Sequence, residues 1–218
     1  EIFLPHARQI RTMQFAPDGQ MLAVADGGGE VLLWNSKSGK SQSIKAHDLP
    51  VQSVAFSANG EMLATGGTDE AIKLWDLRTL QAKPAHFDGQ MGAVWSLAFS
   101  PNQKFLASGS RDMPINFWDV QKLEPAPAIT NLNSEKIGNF TFSPDGKLMA
   151  AGCKDNSVRV WEVATMSEKH RLPGVSYVVG FTRTGEQLLV ANGGGVARPG
   201  RLATGMFASA GSSTTSTC

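Results

Sequence analysis

Apolar and polar positions alternate along this chain in short runs. In VQSVAFSANG, Val54 and Phe56 alternate with Ser53 and Ala55, a period of two that predicts a β-strand. The two apolar runs that follow, MLATGG and AIKLW, are too short and too often broken by Gly to form helices. Turn signals separate them. ANG closes the first hairpin, as PDG does at Pro17 to Gly19 and at Pro144 to Gly146. Pro presets φ, Asp or Asn bonds its own backbone, and Gly accepts the positive φ of a tight turn. A further turn falls at Asp69, and QSIKA before His47 predicts a weaker outer strand. Each unit therefore predicts four strands.

The unit recurs. IRTMQFAPDGQMLAVADGGGEVLLWN, VQSVAFSANGEMLATGGTDEAIKLWD, VWSLAFSPNQKFLASGSRDMPINFWD and IGNFTFSPDGKLMAAGCKDNSVRVWE align without gaps in their anchors. Phe15, Phe56, Phe99 and Phe142 are spaced 41, 43 and 43 residues apart, and Trp34, Trp75, Trp118 and Trp161 repeat those spacings. A fifth copy starts around Phe181, 39 residues on, but Gly200 stands where its tryptophan would fall. Pro199 is expected to interrupt the third strand of that copy, because proline cannot donate to a ladder. One such unit cannot bury both faces alone, so neighbouring units must stack to complete a core.

These repeats resemble the WD-repeat β-propellers, whose units run His, then VxSVAFSPDG, LASGSxD and IKLWD. The resemblance covers residues 1–205 and implies an all-β propeller of four-stranded antiparallel blades around a central channel. Blades are expected at about 7–46, 47–86, 87–130, 131–172 and 173–205, with residues 1–5 as an outer strand and 206–218 as a Ser/Thr-rich flexible tail. Seven blades are usual in the family, so five repeats suggest an incomplete ring or a fragment of a longer protein. The alternative is a five-bladed ring closed by EIFLP. The resemblance also implies a polar network of loop His, strand Ser or Thr, turn Asp and Trp. The second repeat holds all four, as His47, Thr65, Asp69 and Trp75. The third keeps Ser108, Asp112 and Trp118 but has Gln90 for the His, with His86 nearby. The fourth keeps Asp155 and Trp161 but has Ala151 and Asn133, and the first keeps His6 and Trp34 but has Val24 and Gly28.

Composition narrows the function classes. Twenty basic and 19 acidic side chains nearly cancel, which leaves no whole-chain attraction to nucleic acid. No run approaches the roughly 20 apolar residues of a spanning helix, so no membrane partner is expected. The amino-terminal residues lack the layout of a secretory signal. The two cysteines, Cys153 and Cys218, suggest unpaired thiols in a reducing, cytoplasmic setting. The four histidines lie in different repeats without a close ligand pair, so neither a metal nor another cofactor is expected. The GGG runs at 27–29 and 193–195 precede no helix and predict turns rather than phosphate cradles.

Two readings of His47, Thr65 and Asp69 compete. Hydroxyl, base and carboxylate are the parts of a nucleophilic triad, yet the implied network accounts for the same residues and for Trp75. The favoured function is a non-catalytic scaffold that binds protein or peptide. A nucleic-acid-associated propeller and an enzyme with a central-channel site are the alternatives. The enzyme would need ionisable side chains converging from the innermost strands, which open instead with Ile10, Val51, Val94, Ile137 and Ser176. The binding face is expected at the second position of those strands, Arg11, Gln52, Trp95 and Tyr177, together with Thr68, Arg111 and Lys154 before the turn aspartates. Exposed Trp beside Arg suits an interface, and the cations favour an acidic or phosphorylated partner. An incomplete ring would also favour self-association through its open edges.

Overall fold

The computed structural model of the chain describes residues 8–83, 87, 92–110, 115–126, 137–153, 155–165, 167–191 and 197–201. These residues form strands and turns with no helix. The first sheet comprises β1 (Ile10–Phe15), β2 (Met21–Asp26), β3 (Glu30–Asn35) and β4 (Ser41–Lys45). The second comprises β5 (Val51–Phe56), β6 (Met62–Gly67), β7 (Ile72–Asp76) and β8 (Gln81–Lys83). The third comprises β9 (Val94–Phe99), β10 (Phe105–Ser110), β11 (Asn116–Asp119) and β12 (Glu124–Pro125). The fourth comprises β13 (Ile137–Phe142), β14 (Leu148–Cys153), β15 (Ser157–Glu162) and β16 (Ser167–Pro173). The last has β17 (Tyr177–Phe181), β18 (Gln187–Ala191) and β19 (Ala197–Arg201). Within each sheet the strands lie in chain order and pair antiparallel. The sheets are the blades of a propeller.

Turn chemistry explains this regularity. Gly19, Gly60, Gly146 and Gly185 take positive φ in the first hairpin of four blades. The residue after the first strand then pins that hairpin. Ser57, Ser100 and Ser143 are buried, and each hydroxyl accepts the backbone N–H at the start of the second strand, at 2.9 to 3.0 Å. Each also donates to an Asn or Asp two residues on, at 2.6 to 2.7 Å.

Large side chains of one blade pack on alanines and larger apolar side chains of the blade before it. Val54, Phe56, Leu63 and Trp75 lie against Ala23, Ala25, Val31 and Leu33 of the first blade. Leu97, Phe99, Leu106 and Trp118 meet Ala55, Ala64, Ile72 and Leu74, and Phe140, Phe142, Met149 and Trp161 meet Ala107, Ile115 and Phe117. Each buried side chain of this size contributes about 1.5–3 kcal/mol, so stacking dominates the stability of every blade. The first strands of successive blades touch in series, from β1 through β5, β9 and β13 to β17. Ser53 strengthens one such join by donating to the Val94 carbonyl at 2.8 Å, and Asn139 brackets Val178 N–H and C=O in another.

Among the described residues the ring is not closed. Met13 and Phe15 occupy the positions of Val54 and Phe56 but are 59% and 53% exposed, against 7% and 6%. EIFLP and residues 206–218 lie outside the described residues, so the expected outer strand and tail carry no structural statement. Pro199 requires a correction. It does not interrupt the fifth repeat but sits within β19, opposite Leu189 of β18. Among the described residues β19 is the edge strand of its sheet, where a missing N–H on the open side leaves no ladder bond unmade.

Candidate functional site

His47, in the loop before β5, is 1% exposed. Its Nδ1 lies 2.9 Å from Asp69 Oδ1 and its Nε2 lies 2.8 Å from Thr65 Oγ1. The Trp75 indole N–H donates to the same Thr65 oxygen at 3.1 Å. One proton arrangement satisfies every group. Trp75 donates to Thr65, the Thr65 hydroxyl donates to Nε2, and Nδ1–H donates to the Asp69 carboxylate. That arrangement needs a neutral imidazole. Burial lowers the His47 pKa below its ordinary 6.5, outweighing the opposing pull of Asp69. Thr65 itself is 0% exposed and its oxygen already accepts the indole, so no substrate carbonyl can approach it. What the array can do is tie the loop, the turn and two strands together.

The other blades vary the theme. Trp118 donates to Ser108 Oγ at 2.8 Å, while Asp112, Gln90 and His86 lie outside the described residues. In the fourth blade Ala151 offers no acceptor and Asp155 takes different partners. Its Oδ2 accepts from Arg159 at 2.7 Å and Arg171 at 2.5 Å, and its Oδ1 from the Ser157 hydroxyl. Hydrogen bonds from Ser157 and then Arg159 hold this carboxyl well below the usual carboxylate range. Trp161 remains buried among apolar neighbours. In the first blade buried Asp26 accepts from the Gly28 and Glu30 amides at 2.8 and 3.1 Å, tightening the GGG turn. Sequence reasoning missed Asp26, Arg159 and Arg171. Arg159 stands where Lys73 stands in the second blade, the alignment signal by which it could have been found.

The second position of the innermost strand has a geometry that periodicity does not reveal. Arg11, Gln52 and Trp95 are each the extra residue of a β-bulge. Ile10 and Thr12 pair with consecutive Asp26 and Ala25, Val51 and Ser53 with Gly67 and Gly66, and Val94 and Ser96 with Ser110 and Gly109. A bulged residue leaves the ladder and its side chain is re-aimed. Arg11 reaches over Gly27 in the β2–β3 turn. Gln52 Nε2 donates to Thr68 Oγ1 at 3.0 Å, and Thr68 donates to the Pro50 carbonyl at 3.2 Å. Trp95 is 47% exposed.

Gln52 and Trp95 share a cleft of about 270 Å³ formed by the edges of β1, β5 and β9. Thr12, Gln14 and Ser96 also line it, and none of these had been singled out from the sequence. Tyr177 is 55% exposed on β17 but does not line this cleft. Thr68 enters through its bond to Gln52. Arg111 and Lys154 lie outside the described residues. Among the described residues no group of three or more His, Cys, Asp or Glu is placed to hold a metal ion, and no helix is long and apolar enough to cross a membrane.

Comparison with known proteins agrees with this architecture. The family model for the first β-propeller of IFT122 matches residues 9–196. The chain is 29% identical over 100 residues to WD repeat-containing protein 1 of Xenopus tropicalis, covering 41% of this chain and 16% of that protein. It is 33% identical over 75 residues to polyadenylation factor subunit 2 of Candida albicans, 34% of this chain and 14% of that one. It is 32% identical over 71 residues to COMPASS component SWD3 of Saccharomyces cerevisiae, 33% and 22% respectively. The chain thus spans less than a quarter of the length of each of these relatives. A family match over most of the chain joins the stacked four-stranded blades and the Trp-closed repeats: this chain belongs to the WD-repeat β-propellers, in the family of the first propeller of IFT122.

Proposed function

We propose that this propeller is a non-catalytic scaffold module of a larger assembly, docking a protein or peptide partner on the face that carries Gln52, Thr68 and Trp95. The observation that carries the reading is Trp95, held by a bulge at 47% exposure beside an amide already fixed by Thr68. A large amphipathic ring on a rigid strand is the usual anchor of an interface hot spot. Two of the relatives are by name a subunit and a component of larger factors, which supports the assembly role. Arg11, with Arg111 and Lys154 at the sequence positions before the turn aspartates, favours an acidic or phosphorylated stretch in the partner. The reading places the chain in the cytoplasm, where the buried Cys153 thiol stays reduced.

The test is capture of partners on the immobilised chain, followed by titration of a purified partner against Trp95→Ala, Gln52→Ala and Arg111→Glu. Truncating Trp95 should weaken binding by at least about tenfold, the range of a hot spot. Arg111→Glu should weaken an acidic partner selectively. Unchanged affinity in all three variants, with folding intact, would put the interface elsewhere on the propeller.

A further inference from the structure

Resting on that docking face, we infer that the cleft between the first three blades takes an uncharged, proline-containing segment of the partner. The pyrrolidine ring stacks on the Trp95 indole, and main-chain carbonyls accept from the side-chain amides of Gln52 and Gln14. The charge of the cleft points there. Its described lining, drawn from β1, β5 and β9, contains no Asp, Glu, Lys, Arg or His. A carboxylate, phosphate or ammonium group entering it would meet no counter-charge and gain no ion pair.

Hydrogen-bonding capacity narrows the class further. Ser53 is committed to the Val94 carbonyl, so it joins blades rather than reading a ligand. Gln52 uses one N–H on Thr68 and keeps its second N–H, while the Thr68 bond to Pro50 holds the amide in place before any ligand arrives. Gln14 is exposed, and Thr12 and Ser96 add hydroxyls. Donors fixed beside an aromatic face suit a segment that offers carbonyl acceptors and an apolar ring. Proline supplies both, lacks an N–H that would need a partner, and holds an extended conformation at little ordering cost. At about 270 Å³ the cleft lies just under the ~300 Å³ at which small-molecule pockets begin, so it suits a short peptide turn or strand laid across the channel mouth.

Panning a phage-displayed random dodecapeptide library on the chain tests this. The enriched peptides are expected to carry proline and to lack Asp and Glu beside it. A fluorescein-labelled consensus peptide should then lose about tenfold or more in affinity to Trp95→Ala, and most of that loss should be absent in Trp95→Phe, which keeps an aromatic face. Circular dichroism of both variants separates misfolding from loss of contact. An acidic consensus that still requires Trp95 would overturn this inference and leave the docking face standing. A consensus indifferent to Trp95 would remove both. Failure to enrich any sequence would overturn the inference as well.

Discussion

At the residue scale, His47 is the side chain on which most depends. It is buried and neutral, and it accepts at one nitrogen while donating at the other. His47→Ala leaves the Asp69 carboxylate and the Thr65 hydroxyl short of partners and should cost on the order of 1–3 kcal/mol, read as a lower urea midpoint. The pH dependence has a definite sign. Because burial holds the folded pKa below 6.5, the unfolded chain binds the proton more readily. The His47 contribution is therefore full above about pH 6.5 and declines as the pH falls through the folded value. Urea midpoints of the parent at pH 7.5 and 5.5 should differ, and His47→Gln should reduce the difference. A parent midpoint independent of pH across that range would sink the neutral-imidazole assignment.

At the scale of elements, the second and fourth blades secure the turn between their second and third strands differently. The second uses His47 and Asp69, and the fourth uses a carboxylate between two guanidiniums. Arg159 lies on β15 and Arg171 on β16, so Asp155 joins the turn to both strands. Asp155→Ala should leave largely buried Arg159 without its closest carboxylate and lower the thermal midpoint. Arg171→Ala, at an exposed position, should cost less. Since the folded Asp155 pKa is depressed, its contribution is present above about pH 4 and is lost as the pH falls further, adding to acid unfolding. Differential scanning calorimetry of the two variants would check the ranking, and equal losses would mean that Asp155 does not join the strands as described. Gly29 is a second constraint. Its φ is +84°, and a Cβ there would run into the His47 carbonyl, so Gly29→Ala should disturb the loop between blades 1 and 2.

At the scale of the whole molecule, the blades of the described residues leave the β1 face of the first blade without a neighbour. Elsewhere the equivalents of Met13 and Phe15 are covered by the apolar face of the preceding blade. Two exposed apolar side chains of this size on a β-strand favour association. Light scattering should therefore report a mass that rises with concentration, and Met13→Glu should reduce that rise, because a charge on this face opposes packing. A compact monomer at every concentration would rule out self-association through β1. The scaffold reading would be untouched, since its test rests on Trp95 and Gln52, whose cleft Met13 also borders.

Sequence alone determined the repeat and the strand order within a blade, because both depend on local pattern, while the second-blade network was implied by the family resemblance of those repeats. A period of two, turn residues between short apolar runs and a Trp every 41 or 43 residues are properties of neighbouring positions. Tertiary structure decided what depends on register and on the adjoining blade. Arg11, Gln52 and Trp95 share an alignment column, but only strand pairing reveals that each is an unpaired bulge residue, and only the packing of three innermost strands brings Gln52 and Trp95 to one cleft with Thr12, Gln14 and Ser96. Asp155 was legible as a turn residue, whereas its guanidinium partners come from two further strands whose side chains meet only once the sheet forms. Pro199 misled the sequence reading because a missing N–H disrupts a ladder only where a neighbouring strand needs it, and edge or centre is a property of the assembled sheet.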